Sequence, residues 1–174
     1  RAGKKAERGR TAGNRFGKDR MAQREKEAIQ LYQEFARETL AGQPEGIPVL
    51  FGDQLFLLPC ELNLAGLKVL RAGLHLGTVK KNRFEPSHAL RAEDALRAFS
   101  YSADSGEIRA YLRGEELQPS GKQGEIQKGQ KEERAGKAQK GWALVLVDGY
   151  PLGWGKLAGG MLKNHYPKGL RLSW

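Results

Sequence analysis

Residues Trp142–Arg171 read WALVLVDGYPLGWGKLAGGMLKNHYPKGLR, and this stretch decides how the second half of the chain folds. Positions 142–147 are apolar without alternation, the signature of a strand covered on both faces at the centre of a fold. Asp148-Gly149 is a strong two-residue hairpin turn. Pro151 offers no N–H to a neighbour, so the returning strand starts at an edge. From Lys156 onward there are three lysines and one arginine and neither Asp nor Glu. The pattern implies a small β-fold that turns a basic, aromatic-bearing face towards a polyanion.

Just upstream, Asp104 followed by Glu107 predicts a capping box, Ile108, Tyr111 and Leu112 one short helical face, and Gly114 its stop. Gln118–Lys140 is poor in apolar residues and rich in Lys, Gln, Gly and Glu, which predicts a long mobile loop over 118–140. Further back, Ala28, Leu31, Tyr32, Phe35 and Ala36 recur at helical spacing and predict an amphipathic helix from about Arg24 to near Gly42 and Pro44. Its polar face mixes both charges, which favours core packing over a lipid surface. Ile47–Phe51 and Leu55–Leu58 read as a hairpin around Gly52-Asp53-Gln54. A second strand pair is expected at Leu67–Arg71 and Leu74–Lys80, and Ser87 is expected to cap a helix running through Leu90 and Leu96. Between Gly66 and Arg91 six Lys or Arg face only Glu85, so this layer has its own basic edge at Lys80, Lys81 and Arg83.

Residues 1–20 carry eight Lys or Arg against Glu7 and Asp19, with Gly at 3, 9, 13 and 17. A flexible basic linker is expected over 1–23, because so little apolar surface cannot offset the entropy of ordering. The first residue is Arg1, so the chain reads as a piece of something longer. The 174 residues suit one or two small domains, and the formal net charge of +10 points to nucleic acid or an anionic surface. No stretch has the apolar length of a membrane span or a signal peptide, and the single cysteine, Cys60, cannot form an internal disulfide. A cytoplasmic, monomeric protein with no membrane contact is expected.

Gly153, Gly155 and Ala158 match G-x-G-x-x-A after a strand, but Gly159-Gly160 starts no helix and no acid follows to hold a ribose. No His, Cys or carboxylate cluster has the spacing of a metal site or an acid/base pair; of the three histidines, His165 between Asn164 and Tyr166 is the best placed to touch a ligand. No catalytic, cofactor-binding or metal residues are assigned. Lys156, Lys163, Lys168 and Arg171 are the candidate phosphate ligands. Asn164 can meet a base edge, and Tyr166 and Trp154 can stack on an unpaired base.

The segments Gly66–Leu90 and Gly149–Arg171 resemble the C-terminal region of the NOL1/NOP2/Sun family of RNA cytosine-C5 methyltransferases, within its bacterial small-subunit ribosomal RNA methyltransferase F branch. The resemblance covers roughly residues 25 to 174. It implies an α+β fold: a small helix-plus-sheet domain at 24–98, then a PUA-like mixed β-barrel domain at 99–174. It also implies a separate methyltransferase domain holding S-adenosylmethionine and the family's two catalytic cysteines. Cys60, in Leu58-Pro59-Cys60-Glu61, shares only the Pro-Cys pair with the family motif and is read as structural.

Two functions follow as expectations. The first is an RNA-binding region that positions small-subunit ribosomal RNA for the methyltransferase domain, with Lys80, Lys81 and Arg83 extending the track of the C-terminal cations. The second is a docking module that packs on the catalytic domain or a ribosomal protein.

Overall fold

The computed structural model describes residues 8–64, 66–90, 95–119, 122–124 and 140–173, with the backbone alone described for 8–18 and 122–124. Helix α1 (Arg8–Thr39) is followed by strands β1 (Ile47–Phe51), β2 (Gln54–Leu58), β3 (Leu74–Lys80), β4 (Arg83–Pro86) and β5 (Ala98–Tyr101). Then come helix α2 (Gly106–Arg113), β6 (Lys122–Gly124), β7 (Gly141–Val147), β8 (Tyr150–Ala158), β9 (Met161–Asn164) and a 3-10 turn at Lys168–Leu170. The described residues form a four-stranded sheet, order β1-β2-β3-β4, and a five-stranded sheet, order β6-β5-β7-β8-β9. The fold is α+β. The second sheet is mixed, because β5 runs parallel to β7 while every other pair is antiparallel.

Helix α1 buries Ala28, Tyr32, Phe35 and Ala36, one stripe at helical spacing that Leu40 continues just past its end. It extends well before Arg24, so the expected linker is corrected over residues 8–23; residues 1–7 lie outside the described residues. Arg, Lys, Ala, Gln and Met are good helix formers, and the packed second half of α1 supplies the nucleus from which they propagate. The other end is clipped where Leu96 N–H donates to the Thr39 carbonyl at 2.7 Å and Leu40 bridges to Ala95.

The first hairpin forms with Gly52 at φ 62° in its turn. The second expected pair does not: residues 67–71 are irregular, and β3 pairs instead with β4. Arg83-Phe84-Glu85-Pro86 places Phe84 inward and Glu85 outward, which is strand alternation. Ser87 caps no helix within the described residues; its hydroxyl accepts from Ala89 N–H in a turn. Helix α2 starts one residue later than expected, with Ser105 as N-cap accepting from Ile108 N–H, and stops at Gly114 with φ 91°. Of the expected loop at 118–140, residues 122–124 form an edge strand and 125–139 lie outside the described residues.

The two sheets share one core. Phe35 lies 5.1 Å from Phe84 of β4, 5.9 Å from Trp154 of β8 and 6.4 Å from Trp142 of β7, between ring centres. The other face of the second sheet packs Ala143, Val145 and Leu162 against Ile108 and Tyr111 of α2. Replacing Phe35 by Ala should lower stability by about 3–5 kcal/mol, the usual cost of emptying an aromatic core site. Urea unfolding followed by tryptophan fluorescence and by circular dichroism should then show one shared, earlier transition; two separated transitions would refute a common core.

Candidate nucleic-acid interface

The β7–β8 hairpin sets the site through one extra residue. Val147 pairs with Tyr150 and Leu146 with Pro151, but Val145 pairs with Gly153, so Leu152 is bulged out of the ladder. Counted without the bulge, Trp142 would oppose Gly155 and Trp154 would oppose Ala143. Side chains alternate along a strand, so a one-residue slip carries each later side chain to the other face. Trp142 therefore opposes Lys156, Leu144 opposes Trp154, and Lys156 opposes Lys163 on β9.

Trp142, Lys156 and Lys163 thus form a row across three strands. The Lys156 ammonium lies 5.6 Å from the centre of the Trp142 ring, within cation–π range. The His165 ring stands edge-on to the same indole, with centres 4.4 Å apart. From the other sheet the β3–β4 turn brings Lys80 and Arg83, whose side chains meet Glu85 at 2.7 Å and 3.1 Å. Lys81 and Asn82 form the exposed turn, Asn82 in the left-handed region at φ 57°. His165 lies within electrostatic reach of Glu85, Lys156, Arg83 and Lys80, so cations of both sheets meet at one seam.

Burial disfavours the charged Glu85 carboxylate, but Lys80, Arg83 and His165 outweigh that and hold its pKa below the usual range. Burial lowers the His165 pKa; Glu85 draws it back up, while Lys156, Arg83 and Lys80 push it down further. Shielding also lowers His75, whose ring lies 4.9 Å from Phe56; its hydrogen bond with the Gly77 carbonyl opposes that and Arg71 adds to it.

The other expected ligands are placed differently. Trp154 is 2% exposed, packs on Phe35, and donates its indole N–H to the Ser87 carbonyl at 3.1 Å. It cannot stack on RNA, because the bulge turns it towards α1. The Asn164 amide N–H2 donates to the carbonyls of Tyr111 at 2.8 Å and Glu115 at 3.0 Å, and its oxygen accepts from Tyr166 N–H at 2.8 Å. With those groups committed, Asn164 is a clamp on the end of α2 and not a base reader. Tyr166 is half-buried between Tyr111 and His88, at 5.4 Å and 5.6 Å between ring centres.

Arg171 donates from Nε and one terminal nitrogen to the Tyr166 carbonyl, and its guanidinium covers Gly114, where a Cβ would meet it at 2.6 Å. Lys168 is exposed on the 3-10 turn. Sequence reasoning treated Trp142 as strand core, left Glu85 out of the site, and singled out His165 only as the histidine best placed to touch a ligand. Only the bulge shows that Trp142 supports Lys156.

A family model described as RsmF rRNA methyltransferase first C-terminal domain matches residues 34–92, and one described as Methyltransferase RsmF PUA domain matches residues 98–172. No curated protein sequence matches the chain. Together, the helix-plus-sheet unit and the mixed β-unit are the accessory domains of an rRNA methyltransferase. The chain belongs to the RsmF rRNA methyltransferase family, as part of its C-terminal region. Among the described residues, no helix is long and apolar enough to cross a membrane.

Two expectations test this wiring. A histidine whose pKa is lowered on folding takes up protons more readily when unfolded, so its stabilising contribution holds above its ordinary value of 6.5 and is lost as pH falls below it. NMR titration should place the His165 midpoint below 6.5, and Trp142→Ala should move it back up; an unshifted midpoint in the intact chain would refute the shielding. Asn164→Asp removes both amide donors and should cost about 1–3 kcal/mol by leaving carbonyls unpaired, measurable as a lower urea midpoint.

Proposed function

We propose that this region binds ribosomal RNA of the small subunit and positions it for the methyltransferase domain of the parent protein. The supporting observation is that Lys80 and Arg83 of one sheet and Lys156 of the other lie within electrostatic reach of His165 beside a half-buried indole, with Lys163 paired to Lys156 and Lys81 exposed on the adjoining β3–β4 turn. Exposed cations in that arrangement neutralise phosphates, and the His165 ring, partly shielded by Trp142 yet still reaching solvent, can meet an unpaired base. Lys168 extends the charge along the C-terminal turn.

In this reading the region does no chemistry. The parent transfers a methyl group from S-adenosylmethionine to carbon 5 of an RNA cytosine, in a domain outside this chain. We divide the chain into a helix-plus-sheet unit ending near residue 98 and a PUA-like unit beyond it. The shared core keeps the two halves of the basic seam in register.

A second reading, docking on the catalytic domain or a ribosomal protein, is favoured by the exposed side chains of Leu62, Leu67 and Leu70 on the segment between β2 and β3, Leu70 being 92% exposed. Charge reversal at Lys156 and Lys163 separates the two. Recognition predicts loss of binding to small-subunit RNA fragments with the fold intact; docking predicts unchanged binding. If about five cations meet phosphate, affinity should fall roughly a hundredfold between about 50 and about 200 mM salt, at a single-strand slope of about −0.7 per contact. An affinity insensitive to salt would refute recognition through phosphates.

A further inference from the structure

Thr78 pairs with Glu85 and Lys80 with Arg83 across β3 and β4, so these four residues share the outer face of the ladder while Phe84 points into the core. Like charges directly opposite one another repel, and Lys80 opposite Arg83 is such a pair. Glu85 relieves it. One carboxylate oxygen meets Lys80 Nζ at 2.7 Å and the other meets Arg83 at 3.1 Å. No other acid occurs between Gly66 and Arg91, and His165 of the second sheet lies within electrostatic reach of the carboxylate.

We propose that Lys80 and Arg83 form a subsite for an RNA phosphodiester and that the Glu85 carboxylate fills it in the free chain, as an internal competitor. The proposal rests on the RNA-binding reading and adds to it a residue that sets how strongly RNA is held. A phosphodiester carries the same single charge and offers two non-bridging oxygens, so it can take both cations as the carboxylate does. The Lys80 and Arg83 side chains are 47% and 59% exposed against 23% for Glu85, so the cations reach solvent while the carboxylate lies behind them. Ion pairs this exposed are weak enough for a multivalent polyanion to replace. Glu85 would then tax every RNA contact at the seam, and RNAs able to place a phosphate there would be selected over RNAs that only skim the lysines.

The test compares the chain with its Glu85→Gln variant, using a fluorescein-labelled RNA hairpin bearing a single-stranded extension. Glu85→Gln should tighten binding about two- to fivefold at about 50 mM salt, the scale of one exposed pair. It should also steepen the salt slope by about 0.7, the increment of one further phosphate contact. Lys80→Ala should then cost more in the Glu85→Gln background than in the parent chain. Unchanged or weaker binding by a folded Glu85→Gln protein would overturn the proposal and make Glu85 a structural counter-ion. Should Glu85→Gln not fold, Glu85→Asp, which withdraws the carboxylate by one methylene, must show the same sign at smaller size. Failure of RNA recognition itself reads differently: the parent chain would not bind, or Lys156→Glu with Lys163→Glu would bind as well as the parent.

Discussion

The contact on which the rest of the structure depends is the ring of Phe35 against Phe84 on one side and Trp142 and Trp154 on the other. A helix side chain here touches aromatic residues of two different sheets, and the Trp154 indole N–H adds a bond to Ser87 just beyond β4. Interiors pack as tightly as organic crystals, so such a junction transmits position and does not merely hold surfaces together. The β3–β4 turn and the β8–β9 strands each carry cations on their own sheet. They face one seam because Phe35 sets the distance between the sheets.

Amino-acid chemistry sorted the expected ligands of the C-terminal segment. Those with rings or amides, Trp154, Asn164 and Tyr166, are spent on the fold, because burying an indole or a phenol is favourable once its polar tip finds a partner. Tyr111 follows the same rule: its hydroxyl donates to the Trp154 carbonyl at 2.8 Å, and burial raises its pKa. Lys156, Lys163 and Lys168 stay at the surface because an ammonium group cannot leave water without a counter-charge. Arg171 lies between, its flat guanidinium stacked over Gly114 and bonded to a carbonyl.

The periodic features were legible in the sequence. Ala28, Tyr32, Phe35 and Ala36 announce the buried stripe of α1, residues 142–147 the central strand, and Asp148-Gly149 the turn, which has φ of 49° and 86°. The α+β class followed from these and from the resemblance in two short blocks. What was not legible depends on pairing between distant segments. The partner of β3 was misplaced because Leu67–Arg71 is as apolar as a strand, whereas the alternation that counts, in Arg83–Pro86, is only four residues long. The N-terminal part of α1 was missed because composition argued for a linker while helix continuity argued against it. The roles of Trp142 and Trp154 were exchanged because no local signal marks Leu152 as the residue that drops out of register.

That dropped residue makes the seam a matter of parity. Deleting one residue at 152 would leave composition, charge and hydropathy almost untouched, yet it would exchange the two faces of β8 beyond that point. Glycine would then stand where Lys156 meets the Trp142 indole, and Trp154 would be aimed at α2 in place of α1. Length variation in this hairpin is therefore not graded. A change of two residues here keeps the facing pattern that a change of one reverses, so hairpin length modulo two decides whether the aromatic junction is kept.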